Sequence, residues 1–387
     1  VARERAMIAA SVDDFREMAR RRLPDFLFEY IDGGSYAEET LRANTADLAA
    51  LKLRQRVMRD VDGLSLGTTL MGQAADFPVA LAPIGLAGLY ARRGEVQAAR
   101  AAAAAGVPFI LSSSSCCGIE EVAAAAPVML QLYIIKDRGF MEDLLARTAA
   151  LGVETLVLTV DLIVHSPRRR DVRTSLTGDQ GAAARLRRAV EIARHPAWAW
   201  DVGVRGRPHT LGNYAAKMPG GAGLAEFTAW VSRNFDASVT WADLDWLRRH
   251  WRGRLVIKGV LDAEDARDAV AAGAESIIVS NHGGRQLDGA PSAIAALPRV
   301  VEAVDGCAEV LMDGGIRSGT DILRALALGA RGVLLGRAWA YALGAQGGAG
   351  VTRMLALLRH ELAVAMALAG QRDVTAVGRD VLVAPPR

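Results

Sequence analysis

The 387-residue sequence predicts an α/β protein built as a TIM (β/α)8 barrel, with N-terminal helices, a long loop insertion after strand 4 and an extra C-terminal helix. Three observations carry this. From Pro78 onward, short apolar runs rich in β-branched residues alternate with Ala-rich stretches of helical pattern. Eight such runs occur, and polar residues follow nearly every one. The alternation alone would also suit an open doubly wound sheet, but a count of eight favours closure.

The elements follow in order. A helix starts at Ser11, which serves as N-cap ahead of Asp13 and Asp14 in the first turn. A second, Asp25 to Asp32, follows Pro24 and stops at Gly33-Gly34. The strands are Val79 to Ala82, Pro108 to Leu111, Val128 to Leu132, Thr155 to Thr159, Leu255 to Ile257, Ser276 to Val279, Glu309 to Met312 and Gly332 to Leu335. The helices between and after them are Glu95 to Ala105, Ile119 to Ala125, Phe140 to Leu151, Trp241 to His250, Ala263 to Ala272, Ile294 to Val304, Thr320 to Leu328 and Gly350 to Leu368. Residues 1–387 then form a single domain.

Composition narrows the function classes. Hydrophobic residues make up 51% and charged residues 23%, ample for a core. A net charge of +3 is too weak to imply nucleic acid. Cys116, Cys117 and Cys307 match neither a disulfide framework nor a zinc site, so no metal is expected and a reducing, cytoplasmic setting is. No apolar window is long enough to span a bilayer, and the acidic residues near the start do not follow a signal-peptide layout.

Barrel enzymes place their chemistry at the carboxyl ends of strands. Those ends carry Ala82 and Gly85, Ser112, Gln131 with Tyr133, Thr159 with Asp161, Lys258, His282 with Arg285, Asp313 with Gly315 and Arg317, and Gly336 with Arg337. A lone histidine in a Gly-rich turn is usually structural, but this set is not a lone histidine. The run Ser280 to Gly289, SNHGGRQLDG, puts a base, His282, beside a carboxylate binder, Arg285. Gly283 and Gly284 let the backbone turn so that both reach one volume. Asp161 could hold His282 in one tautomer.

Asp313 to Arg317 and Gly336-Arg337 follow the last two strands, where barrels commonly bind phosphate. With no Walker loop and no GxGxxG after a strand, a mononucleotide such as FMN fits better than ATP or a dinucleotide. Lys258 then has two readings, a fixed charge near a flavin or an ion pair in the barrel mouth. Tyr30 also has two, packing residue or ligand contact.

The strand-end set and the SNHGGRQLDG run closely resemble the FMN-dependent L-2-hydroxy-acid-oxidising family, over about Asp14 to Gly370. Within it, Leu23 to Asn44, YARRGEVQAA at Tyr90 to Ala99 and HPAWAWDVG at His195 to Gly203 are closest to the bacterial respiratory L-lactate dehydrogenases, with mandelate dehydrogenase a near relative. The resemblance implies His282 as base and Asp161 as its partner. It implies Arg285, Arg168 and Tyr30 on the substrate carboxylate and Tyr133 at the hydroxyl or developing carbonyl. Lys258, Gln131, Thr159 and Ser112 would contact the flavin ring, with Ala82 and Gly85 at its N5 edge. Asp313, Gly315, Arg317, Gly336 and Arg337 would hold ribityl and phosphate. Ile84 stands where many members have Thr or Val, and the run Leu162 to Pro167 departs from the relatives, which leaves Arg168 to be told apart from Arg169 and Arg170.

Between 175 and 238 the repeat is suspended for longer than a compact loop needs. Arg185, Arg187, Arg188, Arg194, Arg205 and Arg207 outnumber Glu191 and Asp201, and Trp198 and Trp200 sit among them. The segment reads either as a membrane contact, with tryptophans at the headgroup level, or as a lid packed on its own barrel.

The expected function is oxidation of an L-2-hydroxy acid, L-lactate first, to the 2-oxo acid, with electrons passed from FMN to a quinone or other acceptor. Mandelate or another larger acid as substrate, or oxygen as acceptor, are variants. A non-redox FMN isomerase and a binding scaffold are the rivals from other classes. A homotetramer is expected, cytoplasmic or peripheral on the inner face of the cell membrane.

Overall fold

The computed structural model describes residues 8–178, 181–217, 230 and 233–383. Eight parallel strands form one sheet: β1 (Val79–Leu81), β2 (Ile110–Ser112), β3 (Met129–Leu132), β4 (Thr155–Thr159), β5 (Arg254–Val260), β6 (Ser276–Val279), β7 (Glu309–Asp313) and β8 (Gly332–Leu335). From β2 to β8 each pairs with its sequence neighbour, and β8 returns to β1. A parallel bridge between Leu81 and Phe109 closes the ring between β1 and β2. This is the expected TIM barrel.

The strands are buried on both faces, which is why they read as continuous apolar runs rather than alternating ones. Ala80, Ile110, Met129, Val157, Val256, Ile278, Leu311 and Leu334 point inward and form a separate core inside the ring. Their neighbours along each strand, such as Leu81, Leu111, Leu130 and Ile277, pack outward against the helices. Leu70, Met71 and Ala75 join the inner core from a small antiparallel hairpin, Thr68–Leu70 with Gln73–Ala75. No strand was expected there, because three-residue strands leave too short an apolar pattern to read. Met71 and Gly72 both have positive φ, the conformation a two-residue hairpin turn needs.

Helices Val12–Arg22 and Asp25–Asp32 occur as expected, Ser11 accepting from the Asp14 amide at 3.1 Å. A third N-terminal helix, Glu39–Ala50, lies behind the His282 loop and was not expected. The C-terminal element is longer than its sequence suggests. Helical structure runs over Arg337–Leu368, interrupted by non-helical backbone at Gln346 and Gly347. The glycines of that stretch mask the first half.

The described parts of the insertion include helices Ala182–Arg194 and Pro196–Trp198. Positions 179–180, 218–229 and 231–232 of the expected 175–238 segment lie outside the described residues. The two tryptophans part company. Trp198 turns inward, donates to the Leu89 carbonyl at 2.8 Å and meets Phe26 edge-on, while Trp200 stays 61% exposed. Trp198 is thus packed on the protein's own barrel, as the lid reading has it, and Trp200 alone of the pair stays exposed.

Candidate active site

His282 stands in the turn after β6 with left-handed backbone, φ 56°, followed by Gly283 and Gly284 at 65° and 71°. Left-handed conformation is costly for a side-chain-bearing residue, so the turn must be held from outside. Asn281 does much of this: its Oδ1 accepts from the Gly284 amide and from Asn44 Nδ2, and its Nδ2 donates back to Asn44 Oδ1 at 2.8 Å. A Cβ on Gly284 would fall 2.5 Å from the Leu41 amide, so helix Glu39–Ala50 can approach only because glycine is there.

So held, His282 Nδ1 meets Asp161 Oδ1 at 2.7 Å, with the two side chains 19% and 10% exposed. Burial opposes the charge on Asp161, yet His282 and then Lys258 keep its pKa below the ordinary value. An ionised carboxylate only accepts, so Nδ1 carries the proton and Nε2 is the nitrogen whose lone pair the neutral ring offers.

Lys258 ends near the same place on β5. Its Nζ lies 2.6 Å from Asp313 Oδ2 and donates to Ser280 Oγ at 2.7 Å; that hydroxyl also accepts from the His282 amide. The ion-pair reading of Lys258 is met, and the residue borders the cavity as well. Ser280 links it to the histidine turn, a role that sequence reasoning missed although the residue begins the motif.

Tyr30 lies under two guanidinium groups, Arg285 at 4.8 Å and Arg168 at 5.7 Å from its ring. Arg285 Nη1 also donates to the carbonyls of Tyr30 and Gly33. Burial and then Arg285 push the Arg168 pKa down, and its Nε is buried with no partner. Like charges held this close favour an anion between them. Arg170 is spent elsewhere, on Glu29, Asp32 and Glu38, and Arg169 is exposed, so Arg168 is the member of the triplet that faces the site. Burial and then Asp161 push the Tyr133 phenol well above its usual range, so it stays a donor.

A cavity of about 430 Å³ joins these groups to the phosphate-type turns. Ala82, Gly85, Ser112, Thr159, Asp313, Gly315, Arg317, Gly336 and Arg337 line it. Gln131 stands beside this lining, its Oε1 accepting from the Ser112 hydroxyl at 3.1 Å and its Nε2 left without a partner. Gly314 and Gly315 have φ 97° and 85°, and a Cβ on Gly315 would fall 2.1 Å from the Asn44 carbonyl. Arg337 is shared: its Nε, Nη1 and Nη2 donate to the carbonyls of Ile31, Gly283 and Gly33, which clamps the His282 turn to the N-terminal helices and leaves two of its five N–H donors.

The residues present fit a flavin mononucleotide. Gln131 Nε2, Thr159 Oγ1 and Asp313 Oδ1 are buried polar atoms with no partner in the chain, a costly state that a heteroaromatic ring edge and ribityl hydroxyls would relieve. A Cβ on Gly336 would meet nothing, leaving room at the turn, and Arg317 spends one nitrogen on the Ile316 carbonyl.

Comparison with known proteins agrees. The family model described as FMN-dependent dehydrogenase matches residues 19–384. An L-lactate dehydrogenase of Caulobacter vibrioides (strain NA1000 / CB15N) is 57% identical over 97% of this chain and 98% of its own. One from Pseudomonas putida (strain GB-1) is 53% identical over 97% and 99%. Among solved structures, the monotopic membrane protein (S)-mandelate dehydrogenase superposes with a TM-score of 0.91 at 35% identity, covering 98% of this chain and 100% of that one. With a barrel of this topology, a cavity that fits FMN and matches over nearly the whole length, the chain belongs to the FMN-dependent dehydrogenase family.

Proposed function

We propose that the protein oxidises an L-2-hydroxy acid, L-lactate first, to the 2-oxo acid. The observation that carries the reading is the His282–Asp161 pair beside the Arg168–Arg285 cluster on one cavity. Arg285 and Arg168 bind the substrate carboxylate, with Tyr30 between them. Their forks set the C2 hydroxyl toward His282 and Tyr133. His282 Nε2 takes a proton, and Asp161 stabilises the imidazolium that results. Tyr133 donates to the oxygen as it becomes a carbonyl. FMN, when bound, would accept the two electrons together with the substrate's other hydrogen. Lys258, Gln131, Thr159 and Ser112 would hold its ring, Ala82 and Gly85 would border the ring, and Asp313, Gly315, Arg317 and the Gly336-Arg337 turn would hold ribityl and phosphate. The 53–57% identity to proteins named L-lactate dehydrogenase supports lactate over larger acids.

The acceptor in this reading is a membrane quinone. Leu186, Val190, Trp200 and Val204 are exposed apolar residues at 67%, 42%, 61% and 52%, among the arginines of the insertion. That combination suits an anionic bilayer surface. No helix among the described residues is long and apolar enough to cross a membrane, so the contact is peripheral. Leu176, Thr177, Leu211 and Phe235 of the same segment line the cavity, so it also acts as a lid. A homotetramer completes the proposal.

Anaerobic mixing with L-lactate should bleach the flavin absorbance, and quinone should restore it faster than air. Retention of fast bleaching in His282→Ala would overturn the assignment of the base.

A further inference from the structure

One wall of the cavity is a row of three rings. Tyr133, at the end of β3, lies against Phe235 with centroids 5.0 Å apart, and Phe235 stacks on His165 at 5.8 Å and 20°. All three line the cavity, flanked by the buried Leu162 and Leu176. The row unites three distant stretches: the β3 end, the return leg of the insertion, and the run Leu162 to Pro167 after β4.

The row is pinned. Phe235 bridges Ile135 in antiparallel fashion, with the Lys136 amide donating to Asn234 and the Asp236 amide to Ile134. The His165 loop is tied on its other side, where Gln286 Nε2 donates to the carbonyls of Asp161 and Val164. Flat rings on a fixed backbone cannot yield to a larger substituent without losing their stack. His165 is exposed along the cavity, yet desolvation by its neighbours, and then the charges of Arg168 and His282, lower its pKa to about 4, so near neutral pH the ring is uncharged.

We propose that His165, stacked on Phe235, is the specificity-determining wall of the substrate pocket: the substituent on C2 packs against this pair, which restricts the pocket to short aliphatic groups. This rests on the 2-hydroxy-acid oxidation proposed above. The carboxylate binders and the base treat all 2-hydroxy acids alike, so discrimination among them needs such a surface. One methylene against an apolar wall discriminates by about 10- to 200-fold, which sets the scale.

The test compares holoenzyme with His165→Ala, Phe235→Ala and His165→Phe. For each, kcat/KM is measured for L-lactate, L-2-hydroxybutyrate, L-2-hydroxyhexanoate and (S)-mandelate. Oxalate, whose second carbon is a carboxylate and carries no carbon side chain, is titrated by flavin absorbance as the reference. Both alanine variants should raise the ratio of hexanoate or mandelate to lactate about tenfold or more, and His165→Phe, which keeps a flat ring, should retain the wild-type ratio. Ratios within twofold of wild type in both alanine variants overturn the wall. So does a parallel loss across every acid and oxalate, which would mark the rings as structural only. A wild-type flavin bleached by none of the acids overturns the function itself, and the two failures are thereby told apart.

Discussion

His282 Nδ1 and Asp161 Oδ1 are 2.7 Å apart although 121 positions separate them in the chain, because β4 and β6 flank β5 in the barrel and both end at the same face. The carboxylate fixes the tautomer that leaves Nε2 as the base. Asp161→Asn should lower the rate of flavin reduction by about 10²- to 10⁴-fold while FMN stays bound. Stopped-flow bleaching by L-lactate measures it, and a loss under tenfold would remove Asp161 from the mechanism.

Lys258 and Asp313 form a buried pair at 2.6 Å. Lys258→Met removes one partner and leaves the other uncompensated, a change that costs about 3–5 kcal/mol in comparable buried pairs. Urea unfolding should register that loss, and flavin retention should fall with it. Unchanged stability would mean that Asp313 takes up a proton at little cost.

Asp32 gathers Arg16, Arg170 and Tyr341 at the base of the N-terminal helices. Burial alone would raise its pKa, but the bonds to Arg16 and Tyr341 bring it down to about 2 from 3.8. A depressed carboxylate stabilises the fold above its unfolded value and loses that contribution as pH falls through the folded one. Asp32→Asn should therefore be less stable than wild type at pH 7, and the gap should narrow between about pH 4 and 2. A gap that does not depend on pH would exclude the ionised carboxylate as its cause.

Removal of FMN should expose the orphaned atoms Gln131 Nε2, Thr159 Oγ1 and Asp313 Oδ1 as an energetic debt. Adding FMN back at a hundred times its Kd should stabilise the apoprotein by about 2.7 kcal/mol. Riboflavin, which lacks the phosphate, should give a smaller rise in Tm, and Arg317→Ala should erase most of the difference. Equal shifts from the two flavins would argue against the Gly315–Arg317 turn as the phosphate site.

His165 titrates in the opposite sense to a stabilising base. Its folded pKa of about 4 lies below the ordinary 6.5, so the unfolded chain binds more protons in that window and stability falls as pH drops from 6.5 to 4. His165→Phe keeps the ring and loses the titration. Its Tm should therefore decline less steeply than wild type over that range, and parallel declines would place the acid sensitivity elsewhere.

Much of this was legible in the sequence because it depends on local pattern. Eight buried parallel strands must be runs such as Ser276 to Val279 or Gly332 to Leu335, and a barrel must put its chemistry where those runs end, which brought out His282, Lys258, Asp161 and the glycine turns. The hairpin at Thr68–Leu70 and the helix starting at Arg337 escaped, the first for brevity and the second for its glycines.

Tertiary structure decided what each side chain is spent on. Arg168, Arg169 and Arg170 are equivalent as letters, yet only the fold gives Arg170 to Glu29, Asp32 and Glu38 and leaves Arg168 over Tyr30. Arg337 sits where a phosphate ligand was expected, and only the fold shows that three of its N–H donors go to backbone carbonyls. Trp198 and Trp200 stand two positions apart and face opposite environments. Phe235 had no periodicity to announce it and became a pocket wall through a bridge to Ile135. The physical reason is common to all four. Composition and spacing determine which groups the chain can present, whereas a hydrogen bond or a ring contact needs a partner that only the closed barrel brings within reach.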